Sequence, residues 1–319
     1  MADGPILAFA GGVGGAKLAL GLARILPAGA LTVAVNTADD FEHLGLYICP
    51  DLDTVIYTLA GLANPETGWG RRDETWAVLA AIEKLGGEAW FRLGDKDLAI
   101  HIERTRRLRG GETLSAVVAD FARRLGVKHA LVPMSDDPVR TMVTTPEGEL
   151  AFQEWFVRRR CEPVVRSVRF AGVERARPHA VLRDLDSARG VLICPSNPFV
   201  SVAPILALPG VRTALERTHT PRIAVTPIVG GRAIKGPAAK MLAELGHDVS
   251  ALGVARFYKG LVDGFVLDAE DAALRPAIEG LGLKVLVADT MMQDDSDKRR
   301  LAAATLEFVD ELAASGRHS

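Results

Sequence analysis

The chain has no run of about 18 or more apolar residues, the length one helix needs to cross a bilayer, so no transmembrane helix is expected. Its opening, MADGPILAFAGG, runs straight into an apolar strand without a basic segment, so no signal peptide is expected either. Cysteine is scarce: Cys49, Cys161 and Cys194 lie far apart, form no CxxC pair and leave an odd count. That argues against a disulfide framework and points to a reduced cytoplasm, with the thiols as small buried hydrophobes. An excess of one charge is missing too. The 38 Lys+Arg against 40 Asp+Glu give a net charge of -2, which makes no electrostatic case for a nucleic acid or an anionic membrane as partner. A small anionic ligand stays compatible, since its site needs only local positive charge and backbone amides. No GxSxG elbow, HExxH helix or paired CxxC set occurs, and the seven histidines show no ligand spacing. Nucleophilic or zinc hydrolysis therefore has little support.

What is present is a soluble globular composition, 48% hydrophobic over 319 residues, enough for a sizeable core. Seven short apolar runs read as strands: 6–10, 31–35, 129–133, 190–194, 222–226, 264–268 and 285–289. Most are apolar throughout, which suits strands covered on both faces of a parallel sheet. Amphipathic stretches such as KLALGLARIL and LSAVVADFARRLG lie between them. The fold class expected is α/β, a Rossmann-like doubly wound, mostly parallel sheet. Residues 140–156 read as a β-hairpin closed by Pro-Glu-Gly-Glu. Residues 62–128 are mostly helical and too long for an ordinary connection, so they read as a smaller subdomain or lid within a single domain, 1–319.

Chemistry concentrates where strands end. FAGGVGGAK places Gly11, Gly12, Gly14 and Gly15 between a strand and a helix. Such a loop can admit a phosphate to the helix N-terminus, or it can simply be a tight, closely packed turn. A Walker A loop would need Ser or Thr after Lys17, where Leu18 stands, and a dinucleotide fingerprint would need glycine at 17. VNTADD puts Asn36, Thr37, Asp39 and Asp40 after the second strand, and CPDLDTV adds Asp51 and Asp53. One of the latter two can be a helix cap. Four carboxylates around one strand end repel each other unless a hard cation sits among them, and magnesium prefers such oxygens together with substrate phosphates. WFRLGDKD brings Trp90 and Phe91 beside Arg92, a combination that can stack a flat ring or be core plus a solvated turn. MSDDP (Ser135, Asp136) and PSNP (Ser196, Asn197) are turn formers at two further strand ends. Arg232 and Lys235, in a second glycine-containing loop, can meet phosphate oxygens or water.

Read together, GGVGGAK, VNTADD, CPDLDTVIYTLAGL, GWGRRDETW, LGDKDLAIH, MSDDPVRT, FQEWFV, PSNPFVSVAPIL and IKGPAAKM resemble, in this order, the 2-phospho-L-lactate transferase family of deazaflavin coenzyme F-420 biosynthesis. The resemblance spans residues 6 to about 300. It implies a magnesium-dependent transfer of a phospho-three-carbon acid (2-phospho-L-lactate, or the phosphoenolpyruvate or 3-phosphoglycerate equivalent) from its guanosine diphosphate conjugate. The acceptor is the ribityl hydroxyl of Fo, 7,8-didemethyl-8-hydroxy-5-deazariboflavin, and GMP leaves. It also implies a homodimer. Carried over by position, it makes Asp39, Asp40 and Asp51 the catalytic carboxylates, with Asp39 and Asp51 on the metal. Gly12, Gly14 and Gly15 would approach phosphates, Thr37 would belong to the same substrate site, and Ser196 and Asn197 would lie by the guanosine. Asp53, Arg92, Ser135 and Asp136 would lie on the Fo side. Relatives often carry lysine where Arg92 stands, so the role expected there shifts from a point charge to a planar fork or stack. Asp53→Ala is expected to abolish transfer with the fold intact. Two rivals share features: a nucleotide-sugar-binding regulator of the gluconeogenesis factor type, and a nicotinamide oxidoreductase. PDLDT, LGDKD and MSDD argue against the first, and Lys17 against the second.

Overall fold

Apolar runs with no polar face need cover on both sides, and the fold supplies it. A computed structural model of the chain describes residues 4–315. Its strands are β1 (Ile6–Ala10), β2 (Leu31–Val35), β3 (Phe41–His43), β4 (Leu46–Ile48), β5 (Ala130–Pro133), β6 (Arg140–Thr145), β7 (Gly148–Ala151), β8 (Ser167–Ala171), β9 (Gly190–Ile193), β10 (Arg222–Val225), β11 (Ile228–Val229), β12 (Arg232–Ala233), β13 (Gly264–Asp268) and β14 (Lys284–Ala288). Seven of them form one sheet in the order β14-β13-β10-β9-β1-β2-β5, every pair parallel. These are the seven runs expected from the sequence, each end within one residue.

Alternate side chains of β1 show how the sheet is covered. Ile6, Ala8 and Ala10 face one core, with Leu18, Leu22, Val55 and Phe308, while Leu7 and Phe9 face the other, with Trp155, Ile205 and Tyr258. Helices α1 (Gly12–Ile25), α2 (Pro50–Leu59) and the last helix, Asp295–Ser315, pack on the first side. From β1 the chain builds outward through β2 and β5, then returns to β9 on the other flank. The sheet therefore has its switch point between β1 and β9, where the strand ends diverge and leave a crevice.

Four additions surround this sheet, one of them the two-stranded antiparallel β11–β12. Residues 62–128 hold α3 (Ala77–Lys84), α4 (Asp95–Arg109) and α5 (Leu114–Arg124). The antiparallel hairpin β3–β4 turns at Leu44 and Gly45, both at positive φ. The hairpin expected over 140–156 is shorter than the sequence suggests: β6 pairs β7 only as far as Ala151, and Glu154–Arg158 is helical. β8 adds a third strand against β6, giving the order β7-β6-β8. The Trp155 indole donates to the Pro163 carbonyl at 2.8 Å and is fully buried, so it anchors this small sheet to the core instead of extending a strand. Among the described residues, no single helix is long and apolar enough to cross a membrane.

Candidate functional site

A cavity of about 770 Å³ opens over the carboxyl ends of the strands, at the β1/β9 switch point. Gly12, Gly14, Asp39, Asp51, Asp53, Arg92, Ser196 and Asn197 all line it. Six of these eight leave a strand end or the helix start that follows it, and Asp53 and Arg92 come from α2 and the 62–128 segment.

The glycine loop owes its bareness mainly to packing. A Cβ on Gly14 would stand 2.3 Å from the Pro195 carbonyl oxygen, and one on Gly15 would stand 2.5 Å from Ser196 Oγ and 3.2 Å from Ala10 Cβ. The loop after β1 thus presses against the loop after β9 with no room for a side chain. Ser196 Oγ stitches the two together, accepting from Gly11 N–H at 3.1 Å and donating to Gly11 O at 2.9 Å. Gly12 is different: its φ is +63°, which favours glycine, and a Cβ there would meet only Asp51 Oδ1, at an ordinary 3.9 Å. Its N–H donates to Asp51 Oδ1 at 2.8 Å, so a carboxylate already sits at the start of α1. Gly14→Ala should therefore cost about 1–3 kcal/mol through overpacking, read from the denaturant midpoint.

Asp51 lies in the first turn of α2, where free N–H groups favour an anion. Its Oδ2 accepts from Asn36 Nδ2 at 3.0 Å, and the same amide nitrogen reaches Val200 O at 3.1 Å. Asn36 so ties the β2 end to α2 and to the segment after β9. Burial, opposed by these hydrogen bonds, pushes the Asp51 carboxyl up to about 6. Burial and the neighbouring Asp51 charge push Asp39 up as well, and Asp39 Oδ1 has no hydrogen-bond partner although it is buried. Asp39 lines the cavity beside the Asp51 carboxylate, and two such hard oxygen donors side by side suit a hard cation.

A second group of charged residues lies where α2 meets α4. Arg104, wholly buried, grips both oxygens of Asp53. His101 Nε2 is 3.3 Å from Asp97 Oδ2, and the Tyr57 hydroxyl donates to Asp97 Oδ1 at 2.5 Å. Burial works against the Asp97 carboxylate, but the His101 ring, the Tyr57 hydroxyl and the Arg104 charge hold it below its ordinary value. Asp53, Tyr57, Asp97 and His101 all reach the cavity. Trp69, Trp90, Phe91, Phe152 and Phe156 also line it, giving it an aromatic wall. Arg92 is exposed and stacks on the Trp76 ring at 4.3 Å. Lys17 and Lys235 line the cavity too and hydrogen-bond to backbone carbonyls, of Met292 and Thr67 respectively, each at 2.6 Å. Burial, with the nearby Lys235, lowers the Lys17 pKa.

Seven of the residues singled out from the sequence do not line this cavity: Gly15, Asn36, Thr37, Asp40, Ser135, Asp136 and Arg232. Thr37 and Asp40 are buried behind it; burial pushes the Asp40 carboxyl up to about 8, against the pull of Arg140 and Arg104. Ser135 Oγ donates to Arg177 O at 2.7 Å and accepts from Asp137 N–H at 3.0 Å, a turn-holding role. Asp136 accepts from Ser115 N–H at 2.7 Å at the start of α5 and faces a separate cavity of about 310 Å³. Asn197 lines the main cavity while its Oδ1 caps the helical segment Pro198–Ala207 by accepting from Phe199 N–H at 2.9 Å. Sequence reasoning passed over Arg104, His101 and Tyr57. The signal was there for two of them: Asp97, His101 and Arg104 recur at the spacing of one helix face.

Known proteins match nearly the whole chain. A family model described as "2-phospho-L-lactate transferase CofD" matches residues 6–303. The chain is 41% identical over 316 residues to a phosphoenolpyruvate transferase of Streptomyces griseus, covering 97% of this chain and 99% of that one. It is 39% identical over 308 residues to a 2-phospho-L-lactate transferase of Methanosarcina barkeri, covering 96% and 99%. A crystal structure of a Bacillus halodurans protein of the upf0052 family superposes with a TM-score of 0.62 at 15% identity, covering 96% of this chain and 99% of that one. At that identity it speaks for the fold alone.

Proposed function

The chain belongs to the 2-phospho-L-lactate transferase family, and we propose that it moves a phospho-three-carbon-acid group from a guanosine diphosphate conjugate to the ribityl hydroxyl of the deazaflavin Fo. The observation that carries this reading is the make-up of one cavity. It joins an aromatic wall for a flat ring, carboxylates at the strand ends and two lysines that bond only to backbone carbonyls among their hydrogen-bond partners. A single site with those three surfaces suits a flat acceptor and an anionic donor held together.

The reaction forms a bond from the acceptor hydroxyl oxygen to the phosphorus that carries the acid, and the hydroxyl proton passes to water. It breaks the bond from that phosphorus to the bridging oxygen, which leaves on GMP. The protein needs no nucleophile of its own for such a transfer; it needs positioning and charge neutralisation. Asp39 and Asp51 would hold magnesium, because Asp39 Oδ1 lacks a partner and both groups offer hard oxygens. Magnesium bound there would neutralise charge on the phosphate oxygens. Lys17 and Lys235 add positive charge on the donor side. Asp53 and Tyr57 line the acceptor side, and the aromatic wall excludes water from the ring. Ser196 holds the two strand-end loops at the separation the donor needs.

Lys235→Ala should raise the donor KM about tenfold, the scale of one charge-assisted hydrogen bond, with the acceptor KM little changed. Steady-state titration of each substrate in turn checks this. The reading itself is tested by incubating the protein with magnesium, Fo and each of the three guanosine diphosphate-linked acids. Mass spectrometry should show the phospho-acid ester of Fo, with GMP released in equal amount. No ester from any donor, together with no binding of Fo, would sink the transferase reading and favour a nucleotide-binding regulator.

A further inference from the structure

Arg104 does not line the cavity, yet it is wholly buried and engages a residue that does. One of its terminal nitrogens, Nη1, donates to Asp53 Oδ2 at 3.1 Å and the other to Asp53 Oδ1, a two-pronged grip. Nη1 also reaches the Tyr47 carbonyl at 3.3 Å and lies 3.3 Å from His101 Nδ1. His101 Nδ1 is 3.6 Å from Asp53 Oδ2, and its Nε2 faces Asp97, which in turn accepts from Tyr57. Asp53 and Tyr57 stand one turn apart on α2, and Asp97, His101 and Arg104 follow one another along α4. The two helices are thus joined by five side chains in a ring that α2 itself closes between Asp53 and Tyr57, four of the five at the cavity wall.

Ligand atoms of Asp53, Asp97 and His101 lie within 4.8 Å of one another, a spacing a metal ion could use. Arg104 argues against that use here. It occupies both oxygens of Asp53, and its charge would repel a cation placed at the same point. The guanidinium itself is the positive partner of the cluster. A carboxylate held by two parallel N–H bonds cannot swing in its plane, and lysine cannot reproduce that hold.

We propose that Arg104 is a positioning residue: acting from α4, it fixes the orientation of the Asp53 carboxylate at the cavity wall, and through it the hydroxylated flat acceptor. This rests on the reading of the cavity given above. It makes the acceptor half of the site dependent on α4 staying docked on α2, while the donor half is built from the strand-end loops and needs no such contact.

The test is a double-mutant cycle in the full-length protein with Arg104→Lys, Asp53→Asn and both together. Thermal melts establish that each variant folds, and KM is measured separately for Fo and for the guanosine diphosphate-linked donor. Arg104→Lys should raise the Fo KM about tenfold, the scale of coupling between contacting residues, and leave the donor KM within about twofold. The double variant should be no worse than Asp53→Asn alone, because Arg104 acts only through Asp53. Additive losses, equal losses on both substrates, or an unaffected Arg104→Lys enzyme would overturn the proposal. Arg104→Gln is the second variant; a chain that folds with neither lysine nor glutamine at 104 would show a purely structural arginine and overturn it too. A wild-type protein that never turns over Fo removes the functional reading and this proposal with it, whereas an active wild type with an additive cycle removes this proposal alone.

Discussion

Asp51→Asn should lower transfer by about 10²- to 10³-fold, the usual cost of removing one preorganised group that stabilises transition-state charge. It should do so with little change in melting temperature. Asparagine keeps the shape of the side chain, but one of its two oxygens becomes an amide nitrogen. That nitrogen must face either the Gly12 N–H or the Asn36 amide, both donors, so one hydrogen bond is lost at a cost of about 1 kcal/mol. Against that, the substitution removes a buried charge that repels Asp39. The two effects oppose each other in stability and add in function, since magnesium would lose a ligand oxygen. The measurement is kcat at saturating substrates beside a magnesium titration and a thermal melt. Activity within tenfold of wild type, with unchanged magnesium demand, would mean that Asp51 only caps α1 and braces the glycine loop.

The central sheet was legible because each of its strands is a short run with no polar face, and only a buried parallel sheet accommodates several of those. The location of the candidate site follows from the same pattern, since ligands of open α/β sheets gather at strand carboxyl ends. The β3–β4 hairpin was not legible. Its turn uses Leu44 at φ 53° before Gly45, and leucine is not a residue that announces a left-handed turn. β8 escaped because Ser167–Ala171 is a short, partly exposed edge strand paired only with β6, and its alternation Ser-Val-Arg-Phe covers just four residues. The glycines show a subtler limit. A glycine that admits a phosphate and one that admits a neighbouring carbonyl look alike in sequence, and Gly14 and Gly15 are glycine for the carbonyl of Pro195 and the hydroxyl of Ser196.

Arg104 shows the same limit for charge. It sits in ERTRRLR, where Arg106 and Arg107 pair with Glu103 and Glu112 at the surface. Nothing in that basic stretch distinguishes the one arginine that points inward, except its place on the face shared with Asp97 and His101. Charged residues look solvated until a helix is docked, and it is the docking of α4 on α2 that turns this one into a support behind the site wall.

That docking changes what Asp53→Ala should do. The sequence suggests a clean loss of transfer with the fold intact; the structure calls for a loss of stability as well. Removing the carboxylate strands a guanidinium that has no exposure to water, and breaking one side of a buried pair costs about 3–5 kcal/mol because the other charge stays uncompensated. The denaturant midpoint of Asp53→Ala should therefore fall clearly below wild type. Adding Arg104→Met should recover most of that loss, since the double variant leaves neither charge unpaired, while transfer stays abolished. The two readouts separate the roles of the pair: stability depends on the charges matching, and transfer depends on Asp53 being there. An Asp53→Ala protein that unfolds at the wild-type midpoint would mean that Arg104 finds its compensation elsewhere, in Asp97 across the ring or in Asp40 behind the cavity. Losing stability in the single variant and regaining it in the double would place the Asp53–Arg104 pair at the joint between α4 and α2.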